Sequence, residues 1–511
     1  MEHPGRDRSR TPADGRTSST MTRRVRASAP ARWYARLGRR GQAAVEIGLG
    51  TVAPPVVGLC VYVLVAWSPA QGALELWFWV LFASLLGTAF LIAIETARAF
   101  RFPTPPMAQP VEPLDLPRVA TVVAAYLPNE QATIVESLHA HLAIDYPRDR
   151  HLVVLAYNTP VPLMVERELQ ELADREPRLL VVEAAGSTSK VENLEVAMEL
   201  LRGHVDVVGV FDADHHPHPS CARRAAQWLA DAAGEDRYDV VQGQCAIRND
   251  RDTFVTRTVA AEFATLYAVA HPGRTVTHDF GLFGGSNGWW RAEVLDELGL
   301  DGRMLTEDID VSMRALDEGR RLAMDPRILS YELAPTDWSG WWKQRTRWAQ
   351  GWHEVSLRHC AALLLNRRLS LVQRRGVAFL LAWRAVHPFL ATQLVPLVIA
   401  MAWATDRRVV WDLLFFIVAA IGVNGVPVLQ AVAANRLAAP GIGARPRLFA
   451  RYVLVSVLGY AELRMSVTRG AVVRHLLGAH SWDVTARTSQ APAAGADAAP
   501  VEHRRDLEVA L

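Results

Sequence analysis

The chain has 511 residues, half of them hydrophobic, and a formal net charge of +2 at pH 7. This length can hold one or two globular domains together with membrane segments, and the near balance of charge excludes bulk attraction to nucleic acid. The four cysteines are scattered and form neither a disulfide framework nor a metal-binding spacing, which suits a reducing cytoplasm.

The amino-terminal region combines a polar tail with two apolar stretches. Residues 1–42 are rich in arginine and lack a long apolar run, which predicts a disordered basic tail on the cytoplasmic side of a membrane. Within residues 43–98, the stretches 47–67 and 76–94 carry no charge and are close to the ~20 residues that cross a bilayer. We therefore expect a transmembrane hairpin here.

The central region has the pattern of an α/β domain. Residues 99–117 are rich in proline and predict a linker. Within residues 118–337, short β-branched apolar runs alternate with longer helical ones, and the predicted strands are 119–125, 152–156, 179–182, 205–211 and 240–244. This alternation predicts a mostly parallel sheet that binds its ligands at the carboxyl ends of the strands.

The remainder of the chain again resembles a membrane protein. Residues 338–370 predict amphipathic helices at the membrane surface, and residues 371–436 predict two further transmembrane helices. Residues 448–480 are apolar but interrupted by charges, so they predict an interfacial or marginally inserted helix. Residues 481–511 are rich in alanine and proline and predict a disordered tail.

An acidic pair follows the fourth predicted strand. Asp212 and Asp214 are two residues apart, so their side chains point the same way if the strand continues, and His215 follows directly. Mg²⁺ or Mn²⁺ held by carboxylates can stabilise the negative charge of a departing diphosphate. The spacing indicates a metal site, although isolated acidic pairs at loop starts are common.

A second acidic group precedes a predicted helix. Thr306, Glu307 and Asp308 lead into an amphipathic run that stops at Gly319. Acidic residues in the first turn complement the helix dipole, which is one explanation of their presence. Alternatively, Asp308 is the general base that takes a proton from an acceptor hydroxyl. Attack by that hydroxyl from the face opposite the leaving diphosphate would invert the sugar carbon.

Residues 338–352 place several tryptophans at helical spacing. A membrane-surface anchor would explain the tryptophans but not the polar groups between them. Gln344, Arg345 and Arg347 can donate to phosphate and sugar oxygens, and the indole of Trp348 offers a flat face to a sugar ring.

Together and in this order, the motifs resemble those of the processive family-2 glycosyltransferases, which include cellulose, chitin, hyaluronan and poly-N-acetylglucosamine synthases. The resemblance covers about residues 45–480. The matching motifs are Ala125-Tyr126 with Asn129-Glu130, Lys190 with Asn193, Asp212-Ala-Asp214-His215, Gly284-Gly285-Ser286-Asn287, Thr306-Glu307-Asp308, and Gln344-x-x-Arg347-Trp348.

The resemblance implies a GT-A-like α/β fold, a nucleotide-diphosphate sugar as donor, and Asp308 as the catalytic base. It implies a metal site at Asp212, Asp214 and His215. Donor and diphosphate contacts are expected from Lys190, Asn158, Asn193, Asp212, Gln344, Arg345 and Arg347. Acceptor contacts are expected from Gly285, Ser286, Asn287, Glu307 and Trp348.

One element departs from the family pattern. The second strand usually ends in an acidic element that holds the nucleotide, whereas this chain has Ala156-Tyr157-Asn158. The amide of Asn158 can both donate to and accept from a base. A UDP-sugar is therefore the expected donor by family resemblance rather than by a matched residue.

Three functions remain open from the sequence. The first is a plasma-membrane polymerase with a cytoplasmic catalytic domain and several spans, which extends a β-linked glycan and works with export partners. Arg384, His387, Gln393 and Asn424 would line its polymer path or, equally, join helices by hydrogen bonds. The second is a single addition to a lipid-linked or short glycan acceptor, and the third is a membrane protein that binds nucleotide sugar without turnover.

Overall fold

The computed structural model describes residues 29–101, 105–106, 116–230, 237–404 and 413–478. Most of the predicted basic tail, most of the proline-rich linker and the predicted tail at 481–511 lie outside these residues. Residues 29–42 were expected to be disordered but contain helix α1, Ala29–Arg36, and the start of α2, Arg39–Ile47. Tyr34 is buried and its hydroxyl donates to Glu46, which ties the first helix to the second.

The central domain is built on one eight-stranded sheet. Its strands are β1 Val119–Tyr126, β2 His151–Asn158, β3 Leu179–Glu183, β4 Val207–Asp212, β5 His216–Pro217, β6 Val240–Ile247, β7 Gly288–Arg291 and β8 Leu322–Glu332. They lie in the order β3-β2-β1-β4-β7-β6-β8-β5. β7 is antiparallel to both β4 and β6, and β5 is antiparallel to β8, while the other pairs are parallel. The predicted fold class, a GT-A-like mostly parallel sheet domain, is confirmed.

Helices cover both faces of this sheet. Val123, Phe211 and Trp289 are buried in the core on one face, and Val122 and Trp290 are buried on the other. Burial on both faces explains why the strands are nearly continuous apolar runs. The helices of the domain are α5 Leu127–Glu130, α6 Ile134–Leu142, α7 Met164–Arg175, α8 Lys190–Leu201, α9 Cys221–Leu229, α10 Phe254–Thr265, α11 His271–His278, α12 Ala292–Leu298 and α13 Glu307–Asp317.

Further helices, several of them apolar, flank the sheet domain in the chain. They are α3 Ala53–Ala66, α4 Gly72–Arg98, α14 Trp338–Leu365, α15 Leu371–Val377, α16 Arg384–Leu390, α17 Leu394–Ala404, α18 Leu413–Leu437, α19 Pro446–Val455 and α20 Ala461–Leu476. Within the described residues, three continuous helical stretches are long and apolar enough to cross a membrane, namely Arg40–Ala66, Gly72–Arg98 and Leu371–Trp403. The Gln393 side chain donates to the Pro54 carbonyl and accepts from the Tyr62 hydroxyl, so it joins two of these stretches.

Helix α20, near the carboxyl terminus, packs against the first and the third of these apolar stretches. Arg469 in α20 is fully buried and donates to the Pro388 carbonyl at 2.9 Å, and it also pairs with Glu462. A Cβ on Gly50 would lie 3.1 Å from the backbone of Arg469, so the two helices touch closely. The predicted interfacial segment thus forms part of a helix assembly with the first and third apolar stretches.

Candidate active site

Three strands end together at the edge of the sheet where the acidic pair lies. Ala124 in β1 is in register with Asp212, and Ala125 is in register with Tyr157. Asp212 is the last residue of β4 and is partly exposed, whereas Asp214 is buried and accepts from the Leu333 N–H at 3.1 Å. Ligand atoms of Asp212, Asp214 and His215 all lie within 4.8 Å of one another. This donor set suits a hard divalent cation.

Lys190, at the start of helix α8, pairs with one member of the acidic pair. The Ser189 hydroxyl caps that helix by accepting from the Glu192 N–H at 3.2 Å. The ammonium of Lys190 lies 2.5 Å from Asp212 Oδ1 and 4.0 Å from a carboxylate oxygen of Glu307. Burial opposes its charge, but these two carboxylates outweigh burial and raise the pKa of Lys190.

The Gly284-Gly285-Ser286-Asn287 loop closes over Lys190 and Asp212. Lys190 donates to the Gly285 carbonyl at 2.6 Å, and the Ser286 hydroxyl accepts from the Asp212 N–H at 3.1 Å. Gly285 has φ +86°, and a Cβ there would lie 3.0 Å from Asp308 Oδ2. Glycine is thus required both by the backbone and by the approach of Asp308.

Two buried amides hold this loop. Gln242 donates to the Ser286 carbonyl at 2.9 Å and accepts from the Gly284 N–H at 2.8 Å. The amide of Asn287 donates to the Gln244 and Ile328 carbonyls, and its oxygen accepts from the Trp289 indole. Asn287 is fully buried, and its side chain joins the loop to the sheet; its acceptor contact stays a prediction.

Asp308 lies in the first turn of α13, next to the glycine loop. Burial and the carboxylate of Glu307 raise the pKa of Asp308 to about 7, although Lys190 and Arg347 act in the opposite direction. A carboxylate with a pKa near neutrality is suited to accept a proton in a reaction at that pH. The geometry therefore supports the predicted role of general base.

Helix α14 brings the Gln-x-x-Arg-Trp residues onto this acidic turn. Asp337 caps the helix by accepting from the Gly340 N–H at 2.9 Å. Its residue Gly351 packs against Thr306, because a Cβ on Gly351 would lie 2.4 Å from Thr306 Cγ2. Helix α14, three residues after the Gln-x-x-Arg-Trp motif, therefore touches the turn that carries Glu307 and Asp308.

Arg345 has a different partner from the one expected. Its guanidinium donates to Glu262 Oε2 at 2.8 Å and lies over the Trp348 ring at 4.5 Å. The same Glu262 carboxylate accepts from the Tyr460 hydroxyl at 2.7 Å and pairs with Arg464 at 3.1 Å. Arg345 thus has an ion-pair partner within the protein, and its contact with the diphosphate stays a prediction.

Gln344 and Arg347 remain as polar groups on the helix. The buried Oε1 of Gln344 has no hydrogen-bond partner among the described residues. Arg347 makes no ion pair within that part of the chain, and its charge acts on Asp308 by lowering the pKa. Trp348 is only partly buried. An orphaned amide oxygen and an unpaired guanidinium beside the base fit a polar ligand.

Asn158 and Asn193 form a small network at the ends of β1 and β2. Asn193 is buried and donates to the Asn158 side chain at 2.9 Å and to the Ala125 carbonyl at 3.1 Å. Asn158 in turn donates to the Ser187 carbonyl at 3.0 Å. The structure brings these two predicted donor-binding residues together beside the strand that carries Asp212.

Several functional neighbours carry no sequence signal. His215 Nδ1 and the Ser330 hydroxyl share a hydrogen bond of 2.9 Å, and His215 Nε2 lies 3.4 Å from a carboxylate oxygen of Glu332. Burial lowers the pKa of His215, but Glu332 and Asp214 outweigh it and raise that pKa overall. Glu332, Gln242 and Glu262 lie far in sequence from their partners, so no local spacing could have identified them.

Comparison with known proteins finds similarity to glycosyltransferases. Residues 207–423 match the model of Glycosyl transferase family group 2. The probable glycosyltransferase YdaM of Bacillus subtilis is 25% identical over 261 residues, which are 50% of this chain and 60% of the relative. The β-monoglucosyldiacylglycerol synthase of a Synechocystis species is 28% identical over 278 residues, 54% of this chain and 56% of the relative.

A polymer-forming enzyme is among the relatives as well. The poly-β-1,6-N-acetyl-D-glucosamine synthase of Staphylococcus aureus is 25% identical over 259 residues, 50% of this chain and 60% of the relative. The chain thus spans little more than half the length of the curated relatives it matches. A solved structure, the mannosyltransferase PcManGT from Pyrobaculum calidifontis in complex with GDP-Man and Mn²⁺, is 20% identical with a TM-score of 0.49 and covers 79% of this chain and 99% of its own.

These findings confirm the resemblance to family-2 glycosyltransferases. The family match includes β4 with Asp212, the glycine loop, Asp308 and helix α14. The relatives support the expected enzyme class, a glycosyltransferase.

Proposed function

We propose that this relative of the family-2 glycosyltransferases is a membrane enzyme that transfers a sugar, with inversion, from a nucleotide-diphosphate donor to a growing β-linked polysaccharide. The observation that carries the proposal is Asp308, whose pKa is about 7 and which lies against the glycine loop that also binds Lys190. Base, acidic pair and basic groups thereby meet at one edge of the sheet.

The donor occupies the crevice at the ends of β1, β2 and β4. Asp212, Asp214 and His215 would hold the divalent metal, which supplies positive charge to the departing diphosphate when bound. Lys190 and Arg347 add positive charge from two other elements. Asn158 and Asn193 are placed to bind the nucleoside, and the expected donor is a UDP-sugar.

Asp308 acts on the acceptor. Its carboxylate removes the proton of the attacking hydroxyl while the sugar carbon is approached from the face opposite the diphosphate. Glu307 raises the pKa of Asp308, so the base is strong enough for a hydroxyl yet ionised near neutral pH. The ring of Trp348 provides an apolar surface for the acceptor sugar.

The membrane placement is part of the proposal. The three candidate spans and the arginine-rich residues 1–42 support a plasma-membrane protein whose sheet domain lies in the cytoplasm. A glycan or lipid-linked acceptor then enters from the bilayer side, where helix α14 lies next to the acidic turn.

A single addition to a lipid is the second candidate. It is favoured by the similarity to the Synechocystis β-monoglucosyldiacylglycerol synthase, which matches a slightly larger share of this chain than the polymer synthase does. The Gln393 side chain is also used between helices, so it gives no support to a polymer path.

Donor turnover and product length test these alternatives. The purified full-length protein is incubated with a panel of nucleotide sugars and Mg²⁺ or Mn²⁺, and released nucleoside diphosphate is measured together with product length. We expect metal-dependent release with one donor and long products; a product that carries one added sugar removes the polymerase proposal. Release by Asp308→Asn equal to that of the matched surface variant Asp149→Asn removes both catalytic proposals and leaves a non-catalytic nucleotide-sugar-binding protein.

A further inference from the structure

A cavity of about 410 Å³ lies away from the candidate active site. It sits between the carboxyl-terminal ends of α11 and α13, the amino-terminal ends of β6 and β8, and the loop that joins α14 to α15. The side chains on its wall that matter here are basic or apolar, and they are Arg101, Arg320, Arg321, Arg368, Val276, Leu316, Leu322 and Leu369.

Most of the positive charge on this wall is not neutralised by the protein. Arg320 pairs with Glu297 at 2.6 Å and with Glu318 at 3.6 Å, and Asp279 adds one carboxylate to the wall. The Arg321 backbone N–H donates to Asp239 at 3.0 Å, but in the part of the chain that the structure describes the guanidinium groups of Arg101, Arg321 and Arg368 have no carboxylate partner. Three guanidinium groups against one carboxylate leave an excess of positive charge around an open volume.

Arg321 is held in place for ligand contact. Its guanidinium donates to the Tyr238 hydroxyl at 2.7 Å and lies 4.1 Å from the centre of the Tyr238 ring. Stacking on an aromatic ring fixes the plane of the group while leaving its charge uncompensated. A fixed, planar donor of this kind suits the oxygens of a phosphate.

The position of the cavity indicates where its ligand comes from. Arg101 follows Gly72–Arg98 by three residues, and Leu369 comes two residues before Leu371–Trp403, so the wall includes the ends of two candidate spans. The wall also includes the apolar side chains of Val276, Leu316 and Leu322. Basic and apolar surfaces at the end of membrane helices match a charged headgroup and the upper part of its acyl chains.

We propose that this cavity binds the phosphate of an anionic membrane phospholipid between the two candidate spans and the sheet domain. The proposal rests on the membrane placement of those spans but not on sugar transfer. Arg101 and Arg368 contact the headgroup from the two helix ends, and Arg321 supplies the fixed donor from the sheet.

Binding to the full-length protein in a neutral detergent tests this site. The probe is a fluorescent short-chain phosphatidylglycerol, and unlabelled phosphatidylglycerol, phosphatidylcholine and inorganic phosphate serve as competitors. We expect Arg101→Gln with Arg368→Gln to weaken binding about tenfold, since two charge-assisted contacts are removed. The matched control, Arg367→Gln with Arg375→Gln, removes the same charge from nearby exposed positions outside the cavity wall.

The outcomes separate the possible ligands. Equal weakening in the control pair assigns binding to bulk charge and overturns the site, and so does equal competition by phosphatidylcholine. Competition by inorganic phosphate as strong as that by phosphatidylglycerol assigns the cavity to a soluble anion and overturns the lipid. Partial rescue by Arg101→Lys with Arg368→Lys supports the site, because lysine restores the positive charge but not the planar donor geometry of the guanidinium. Asp308→Asn should bind the lipid normally, so the lipid-binding result does not depend on whether the catalytic proposal holds.

Discussion

Glu262 shows how one carboxylate can organise a motif from outside it. The residue is buried in α10, accepts from Arg345 in α14 and from Tyr460, which directly precedes α20, and pairs with Arg464 in α20. Burial alone would raise its pKa, but Arg345 and Arg464 outweigh burial and lower the pKa of Glu262. The ionised Glu262 carboxylate therefore has a structural role, since it holds the Arg345 guanidinium against the Trp348 ring.

We expect Glu262→Gln to destabilise the protein by roughly 3 kcal/mol, since the buried Arg345 guanidinium loses its counter-charge and the half-exposed Arg464 loses its partner. The thermal unfolding midpoint of the detergent-solubilised protein measures this. Glu171→Gln is the matched control because its pairs with Arg167 and Arg175 are exposed, and such pairs contribute about 0–1 kcal/mol. Equal midpoints for the two variants would contradict the structural role.

Asp308 links pH to both activity and stability. Below about pH 7 the carboxyl is protonated and cannot accept the acceptor proton, so transfer should rise as pH increases through about 7. The pKa of Asp308 in the folded state exceeds the ~3.9 of a free aspartate, so its ionisation costs stability between about pH 4 and 7. The charge needed for chemistry is thus unfavourable for folding.

Asp308→Asn should therefore reduce transfer at least about 100-fold while leaving the unfolding midpoint at pH 8 equal or higher. Initial rates and thermal unfolding on the same preparations check both parts. A lower midpoint together with lost activity would point to a structural role for the carboxylate instead.

At the scale of elements, the contact between α14 and the turn before α13 positions the base. Gly351 fits against Thr306 with no room for a side chain, and Thr306 directly precedes Glu307 and Asp308. A shift of one helix therefore moves the other. Displacement of a catalytic group by about 1 Å can lower a rate about 100-fold.

Gly351→Ala should slow transfer at least tenfold, since the added Cβ forces Thr306 and the following turn to move, at a cost of about 1–3 kcal/mol. Nucleoside diphosphate release measures the rate. Gly340→Ala is the control on the same helix, because its Cβ would meet the nearest atom at 3.4 Å, an ordinary contact. Unchanged release by Gly351→Ala would show that the helix contact does not control the base.

Five strands, β1 to β4 and β6, could be predicted from sequence, whereas β5, β7 and β8 could not. Buried parallel strands are continuous β-branched runs, as in β1 and β4. β7 has only four residues, and β8 contains Asp325-Pro326-Arg327, which resembles a turn. In the structure Arg327 pairs with Asp325 at 2.7 Å, where the register between β6 and β8 shifts. Asp325 also accepts from the Trp228 indole at 3.0 Å, a contact as distant in sequence as those of Gln242 and Glu262 in the site.

At the scale of the whole molecule, the order of apolar and α/β segments was readable from sequence, but the helix contacts were not. Hydropathy indicates which stretches can span a bilayer and says nothing about their neighbours. Gln393 and the buried Arg469 show these neighbours directly, since each joins helices that are hundreds of residues apart in the chain.

The proposed topology places residues 68–71 outside and the sheet domain inside. In a chain lacking Cys60 and Cys360, Ser68→Cys should be labelled by a membrane-impermeant maleimide in intact cells. Glu168→Cys on the exposed face of α7 should be labelled only after permeabilisation. Labelling of both positions in intact cells would contradict the cytoplasmic placement of the catalytic domain.

The pairing of Lys190 with Asp212 has a further consequence for the order of binding. At rest the ammonium occupies the position of a counter-cation, so an incoming metal must compete with a tethered charge at 2.5 Å. A diphosphate brings its own negative charge and gives Lys190 a new partner. We expect metal alone to bind weakly and metal with nucleoside diphosphate to bind together, which calorimetry of each ligand with and without the other would measure. The protein would thus spend little time with a metal ion in place and no sugar to transfer.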